Sequence, residues 1–203
     1  MNRRFPKVDP NDPDEVLVEQ AKNAMPGDSR AFETLVRRHK GHVKANCRSL
    51  SGSESDAEDL AQEVFVKTYF ALRRFEGRSK FKTWVQRIKI NHCLNFLRKK
   101  KGKSFLDIDD PVMQAEPDLR VDESATTAAE ALGTQDLVQE VLETLPDTLR
   151  VPLTMCDMDG HSYQEIADSL GIGLSATKMR IKRGREEFRR RFEEREAALA
   201  EVE

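Results

Sequence analysis

Between Gly160 and Arg191 the chain reads GHSYQEIADSLGIGLSATKMRIKRGREEFRRR, and few folds accommodate that order of residues. Ser162 and Glu165 stand at the spacing of a capping box, which starts a helix by satisfying two of its orphan N–H groups reciprocally. Ile166, Ala167 and Leu170 then give that helix one apolar face. Gly171 supplies the turn, Ile172 returns to the core, and Gly173, Leu174 and Ser175 open a second helix. The second helix carries Ser175, Thr177, Lys178, Arg180, Lys182, Arg183 and Arg185. The pattern predicts a helix-turn-helix with a basic recognition helix, the geometry that enters a DNA major groove. An ordinary helical hairpin with a solvated basic face explains the charges. It does not explain why cap, small residue, turn glycine and basic helix follow in this order.

The rest of the chain agrees with an all-α protein of two small helical domains. Of its 203 residues 38% are hydrophobic and 34% charged, which suits small, well-solvated helical units better than one thick core. Runs of β-branched residues and Asn-Gly hairpin signals are nearly absent. Cys47, Cys93 and Cys156 are odd in number, far apart and outside any CxxC pair, so they read as reduced thiols of a cytoplasmic protein. No apolar segment follows the basic start Met1 to Lys7, and no run approaches the roughly 18 residues of a membrane span, so no membrane insertion is expected.

The net charge of −2 hides a segregation. Residues 1–101 hold 22 Lys and Arg against 13 Asp and Glu, residues 102–133 hold 2 against 8, and residues 134–203 hold 10 against 15. A basic first half, an acidic middle and a local basic helix near the end imply nucleic-acid contact at two separated places.

In chain order, residues 1–13 with Pro6, Pro10 and Pro13 read as a flexible arm. A short helix is expected from Asp14 to Ala24, with Val16 and Leu17 facing inward. Asp28 caps a long helix ending near Leu50, whose apolar stripe is Phe32, Leu35, Val36, Val43 and Cys47. Ser55 to Glu58 forms a second capping box. The helix it opens runs to about Phe75, with Ala57, Leu60, Ala61, Val64, Phe65, Tyr69 and Leu72 toward the core. Its other face carries Asp56, Asp59, Gln62 and Glu63, then Val66 and Phe70. Acids in a first turn suit the helix dipole, but an apolar pair that continues the stripe is a docking patch for another protein.

Another helix begins at Lys80 or Phe81. From Arg73 to Lys103 there are twelve basic residues and a single acid, Glu76. Arg73, Arg74, Arg78, Lys80, Lys82 and Arg87 are interleaved with Phe75, Phe81, Trp84 and Asn91. Cations that track phosphates beside rings and amides that hold unpaired bases suit single-stranded nucleic acid. Residues 102–133 are acidic, contain Pro111 and Pro117 and read as an extended linker able to occupy a nucleic-acid channel. The second domain, 134–192, adds an amphipathic helix with Leu137, Val138, Val141, Leu142 and Leu145. A helix from about Leu149 to Met158 follows, and it either starts at Pro152 or bends there. Residues 193–203 read as a helical tail.

Two other readings leave more unexplained. A free-standing helix-turn-helix regulator, with the first domain sensing or dimerising, gives no role to the basic–aromatic stretch or to Val66 and Phe70. A metal site or enzyme would have to use His39, His42 and Cys47 on one helix, or His92 and Cys93. His39 and Cys47 are two turns apart with no further ligand or supporting carboxylate nearby, and no phosphate loop, nucleophile elbow or triad is present. Neither a metal, a cofactor nor a catalytic residue is expected.

Two blocks resemble one family. Residues 55–98, with DAEDLAQEVFVKTYFALRRFEG followed by SKFKTWVQRIKINHCLNFLRK, resemble region 2 of bacterial sigma factors. Leu145-Pro146 followed by DGHSYQEIADSLGIGLSATKMRIKRGREEF resembles their region 4. No room for a full region 3 lies between them, which is similar to the extracytoplasmic-function (ECF) group of the sigma-70 family. The resemblance implies domains at 14–101 and 134–192. It implies docking of Asp56, Asp59, Gln62 and Glu63 on the β′ clamp of core RNA polymerase. The loop from Phe75 to Phe81, with Lys82, Trp84, Arg87 and Asn91, would melt and capture the minus-ten element of promoter DNA. Thr177, Lys178, Arg180, Lys182, Arg183 and Arg185 would read the minus-thirty-five element as duplex. An anti-sigma partner is implied as well. Thr177, Met179 and Gly184 depart from the family's usual Val, Ser and Ala, which puts the promoter sequence read by this helix in question.

Overall fold

The computed structural model describes residues 11–25, 27–102 and 134–200. Among these residues there are eight α-helices and no strand: α1 (Pro13–Asn23), α2 (Arg30–Ser51), α3 (Glu54–Ala71), α4 (Phe81–Lys101), α5 (Thr134–Thr144), α6 (Asp147–Leu153), α7 (Tyr163–Leu170) and α8 (Leu174–Ala200). They group into two compact units, Met1–Cys47 with Glu54–Leu94 and Arg48–Ser53 with Asn95–Glu203. The division therefore falls inside α2 and inside α4. The expected linker lies outside the described residues from position 103 onward, as does most of the expected N-terminal arm.

In the first unit α1 starts with Pro13 at a position where its missing N–H costs nothing, and the Asp12 carboxylate accepts the N–H of Asp14 at 3.1 Å. Its inward face differs from the expected one. Val16 is exposed, Leu17 is half-buried, and the buried residues are Glu15 and Val18. Burial of Glu15 reflects a partner far away in sequence, described below. Helix α2 begins at Arg30, so Ser29 rather than the expected Asp28 stands at its N-cap, and Asp28 accepts the N–H of Arg30 at 3.2 Å from one residue earlier. Helix α3 already begins at Glu54, so Ser55 lies inside its first turn and not at the expected N-cap position. The preceding turn is closed by Ser51, whose hydroxyl donates to the Ser53 carbonyl at 3.1 Å. Helix α3 stops at Ala71 and tightens into a 3-10 turn over Leu72–Arg74, short of the expected end. Tyr69 points outward rather than to the core, with its ring edge-on to Phe32 at 5.1 Å. Leu35, Val43, Cys47, Ala57, Leu60, Val64, Phe81, Val85 and Leu94 form the buried interior.

In the second unit the helix-turn-helix forms as its sequence dictates. The Ser162 hydroxyl accepts the Glu165 N–H at 3.3 Å, and the Glu165 carboxylate accepts the Ser162 N–H at 3.1 Å. Gly171 ends α7 at φ 72°, the left-handed conformation that side chains resist, and Ile172 donates its N–H back to Ala167 at 3.2 Å. Ser162→Ala is expected to cost about 1 kcal/mol of stability, the usual worth of such a cap, measured by chemical denaturation.

The helix around Pro152 does not begin at the proline. Helix α6 begins at Asp147, ahead of the proline, and passes at Thr154 into a π turn that runs to Met158. Pro152 has no N–H for the carbonyl one turn back, so the ladder is already interrupted there. Gly184, which on sequence alone only weakens α8, has a packing role. A Cβ there would lie 3.2 Å from the Leu149 carbonyl oxygen and 3.3 Å from the Leu153 side chain, so the glycine lets α8 approach α6.

Candidate nucleic-acid interface

The basic–aromatic stretch lies in the first unit. Phe75 and Phe81 are buried, and Trp84 is half-buried against them, 4.7 Å from the Phe75 ring and 6.1 Å from that of Phe81. These three rings fix both ends of the segment 75–81. Its tip, Glu76-Gly77-Arg78, is exposed, and Arg78 pairs with Glu76. Arg73 and Arg74 are exposed just before it, and Lys82, Arg87 and Asn91 are exposed along α4. Trp84, Arg87 and Asn91 follow at i, i+3 and i+7, one face of the helix. Lys80 reaches the Asp12 carboxylate at 3.3 Å on the surface. Lys89 leaves the basic face altogether, because its side chain is fully buried.

Along α8 the basic residues do not share one face. Ser175, Lys178 and Lys182 follow at i, i+3 and i+7 on one face, with Ser175 and Lys182 exposed and Lys178, Met179 and Arg183 half-exposed. Three expected DNA contacts turn elsewhere. Thr177 is fully buried and its hydroxyl donates to the Gly173 carbonyl at 3.1 Å, so it holds the start of α8 instead of reaching a groove. Arg180 is buried on the same side as Ile181 and Gly184. Arg185 grips Asp157 of the π turn with two nitrogens, at 2.9 and 2.6 Å, and its charge is reinforced chiefly by that hydrogen-bonded carboxylate. The same guanidinium lies 3.7 Å from Cys156, whose thiol burial and the Asp157 charge push up to about 11, far from a reactive thiolate.

The third surface is on α3. Asp59, Gln62 and Glu63 are exposed and Asp56 is half-exposed. Glu63 meets His92 at 2.9 Å. Val66 and Phe70 continue the row with relative exposures of 54% and 75%. Sequence reasoning missed two neighbours: Tyr69, placed in the core, and Met25, which joins Tyr69 and Phe70 around one shallow cavity of about 300 Å³. A bulky apolar residue beside a Pro-Gly pair was the available signal for Met25. Among the described residues no cluster of His, Cys, Asp and Glu could hold a metal ion, and no helix is long and apolar enough to cross a membrane.

Among the described residues the chain is helical, with a helix-turn-helix that carries basic residues on its second helix in one unit and a basic–aromatic loop in the other. Residues 35–103 match the family Sigma-70 region 2, and residues 135–188 match Sigma-70, region 4. The chain is 30% identical over 184 residues to the ECF RNA polymerase sigma factor SigW of Bacillus subtilis (strain 168), covering 87% of this chain and 97% of that protein. It is 33% identical over 181 residues to the ECF RNA polymerase sigma-E factor of Escherichia coli (strain K12), covering 85% and 91%. A similar fold is found in the sigma factor RpoE from Bartonella quintana, solved in complex with the anti-sigma factor NepR, at a TM-score of 0.50 and 23% identity over 78% of this chain and 94% of that one. The chain belongs to the ECF sigma factors of the sigma-70 family. It is thus an initiation factor for RNA polymerase at promoter DNA and not an enzyme.

Proposed function

We propose that this sigma factor opens its promoters by a two-point grip, with residues 14–101 and 134–192 as the two domains that share the work. The observation that carries the reading is that its exposed cations fall on two helical units in two chemical settings. On α4 they stand beside rings and an amide, which suits unpaired bases. On α8 they stand on a bare helix face, which suits a duplex groove. Ser175, Lys178, Lys182 and Arg183 read the minus-thirty-five element. Arg73, Arg74, Arg78, Lys80, Lys82, Arg87 and Asn91 hold the melted minus-ten strand, with Trp84 as an aromatic wall. Asp56, Asp59, Gln62, Glu63, Val66 and Phe70 dock on the β′ clamp of core polymerase.

Extruding a base costs a few kcal/mol, which a fitted pocket and cations on adjacent phosphates offset. Anchoring both units on polymerase raises their effective concentration at the two elements, so neither needs strong DNA affinity alone. The factor works in the cytoplasm, and by family resemblance its inhibited form is a complex with an anti-sigma protein. Transcription from a random promoter library with purified core polymerase tests the reading. Transcripts are expected only when this protein is added, with two recurring sequence blocks at fixed spacing upstream of the starts. Initiation independent of the protein would support a free-standing regulator instead.

A further inference from the structure

We infer that Glu15 is a positioning residue for promoter opening: from the N-terminal helix it caps α4 and so fixes the loop that captures the melted strand. The inference rests on the assignment of that loop to single-stranded DNA.

Glu15 is 8% exposed, an unusual setting for a glutamate. Its carboxylate accepts the backbone N–H of Phe81 at 2.7 Å, across 66 residues of sequence. Phe81 is the first residue of α4 and is itself fully buried. The first N–H groups of a helix have no partner within it, and the residue before them normally supplies a side-chain acceptor. Here that residue is Lys80, which has donors only. Helix α4 therefore takes its cap from another helix. Burial raises the Glu15 carboxyl above its ordinary range, and the Phe81 N–H opposes that rise.

Helix α1 is held so that it can do this. Asp14 takes Arg38 at 3.0 Å and His39 at 2.8 Å, both from α2, and Val18 is buried at 1% exposure. On the loop side Asp12 adds its contact to Lys80 at 3.3 Å. The loop is thus fastened at one end by Phe75 against Trp84, and at the other by Glu15 on Phe81. Its tip, residues 76–78, and Lys80 are left exposed to meet DNA. A loop ordered in advance loses less conformational freedom when it takes up a base.

The test uses the full-length protein with core polymerase on a promoter that the wild type opens. The readouts are polymerase affinity, permanganate reactivity of unpaired thymines over time, and discrimination at the captured base. Glu15→Ala is expected to slow opening about tenfold, the loss of one charge-assisted hydrogen bond, and to weaken base discrimination. Polymerase affinity is expected to stay within about twofold, since the proposed polymerase-docking residues lie on α3, not on α1. Glu15→Gln keeps an acceptor oxygen and is expected to restore both opening and discrimination to within about twofold of wild type. Val64→Ala, which opens a cavity on the buried face of α3 and changes neither Glu15 nor Phe81, is expected to lower thermal stability and leave discrimination unchanged. Should Glu15→Ala not fold, Glu15→Asp withdraws the acceptor by one methylene and is expected to show the same opening defect. Wild-type opening and discrimination in the folded Ala or Asp variant would overturn the inference, as would an equal loss of discrimination in Val64→Ala. Failure of the wild type to open any promoter would instead remove the loop assignment, and this inference with it.

Discussion

Aspartate at both Val66 and Phe70 is expected to weaken binding to core RNA polymerase by about 100-fold or more, with little change in thermal stability. Interfaces concentrate their energy in a few apolar anchors, and truncating one costs about 2–4 kcal/mol. Phe70 is 75% exposed and Val66 is 54% exposed, so neither supports the interior of the first unit, and replacing them leaves α3 intact. The acids beside them, Asp59 and Glu63, would supply a polar rim. New carboxylates at the centre of the patch would be buried without partners on binding, which adds to the cost of removing the apolar side chains. Competition against labelled wild-type protein for core polymerase measures the effect. Ala at both positions is expected to cost less than Asp, because it shrinks the apolar surface without burying charge. Binding of the isolated double variant to minus-thirty-five duplex DNA is expected to remain unchanged. Wild-type affinity in the Asp variant would move the polymerase-binding surface off this face.

The fold was legible where its causes are local. The Ser162–Glu165 cap, the Gly171 turn and the apolar spacing of α7 all act within a few residues, and each forms as expected. Family membership was legible for a related reason, since both matching blocks are continuous stretches of sequence. What was not legible depends on distant partners or on angle around a helix. The inward face of α1 was misassigned because an apolar-face rule cannot anticipate that a glutamate will be buried by a helix start 66 residues away. Counting charges along α8 treated its basic residues as one surface, whereas 100° per residue turns Thr177 and Arg180 toward the core. Lys89, one of the twelve basic residues between Arg73 and Lys103, is turned inward on α4 in the same way. Arg185 was counted as a DNA contact because nothing in its own neighbourhood reveals Asp157, its partner 28 residues earlier.

That angular sorting gives the second large effect. Lys178 and Lys182 lie on the outward face of α8 one turn apart, the spacing at which a helix in a major groove meets successive phosphates and base edges. Replacing both by Ala is expected to lower the affinity of the polymerase-bound factor for minus-thirty-five DNA by about 10-fold to 30-fold near physiological salt. The slope of log affinity against log salt is expected to fall by about 2, close to 0.9 for each phosphate that is no longer neutralised. Arg185→Ala separates charge from position. It removes one cation from the same helix, yet that cation is held by Asp157, so its loss should lower the stability of the second unit and barely change the salt slope. If Arg185→Ala reduced the slope as much as either lysine did, the Asp157 pair would have to open on DNA, and the duplex-reading face of α8 would extend a full turn further toward its C-terminus. If neither lysine changed the slope, the helix would meet DNA through Ser175 and Arg183. Its charge would then serve to steer the factor to the promoter before the groove is entered.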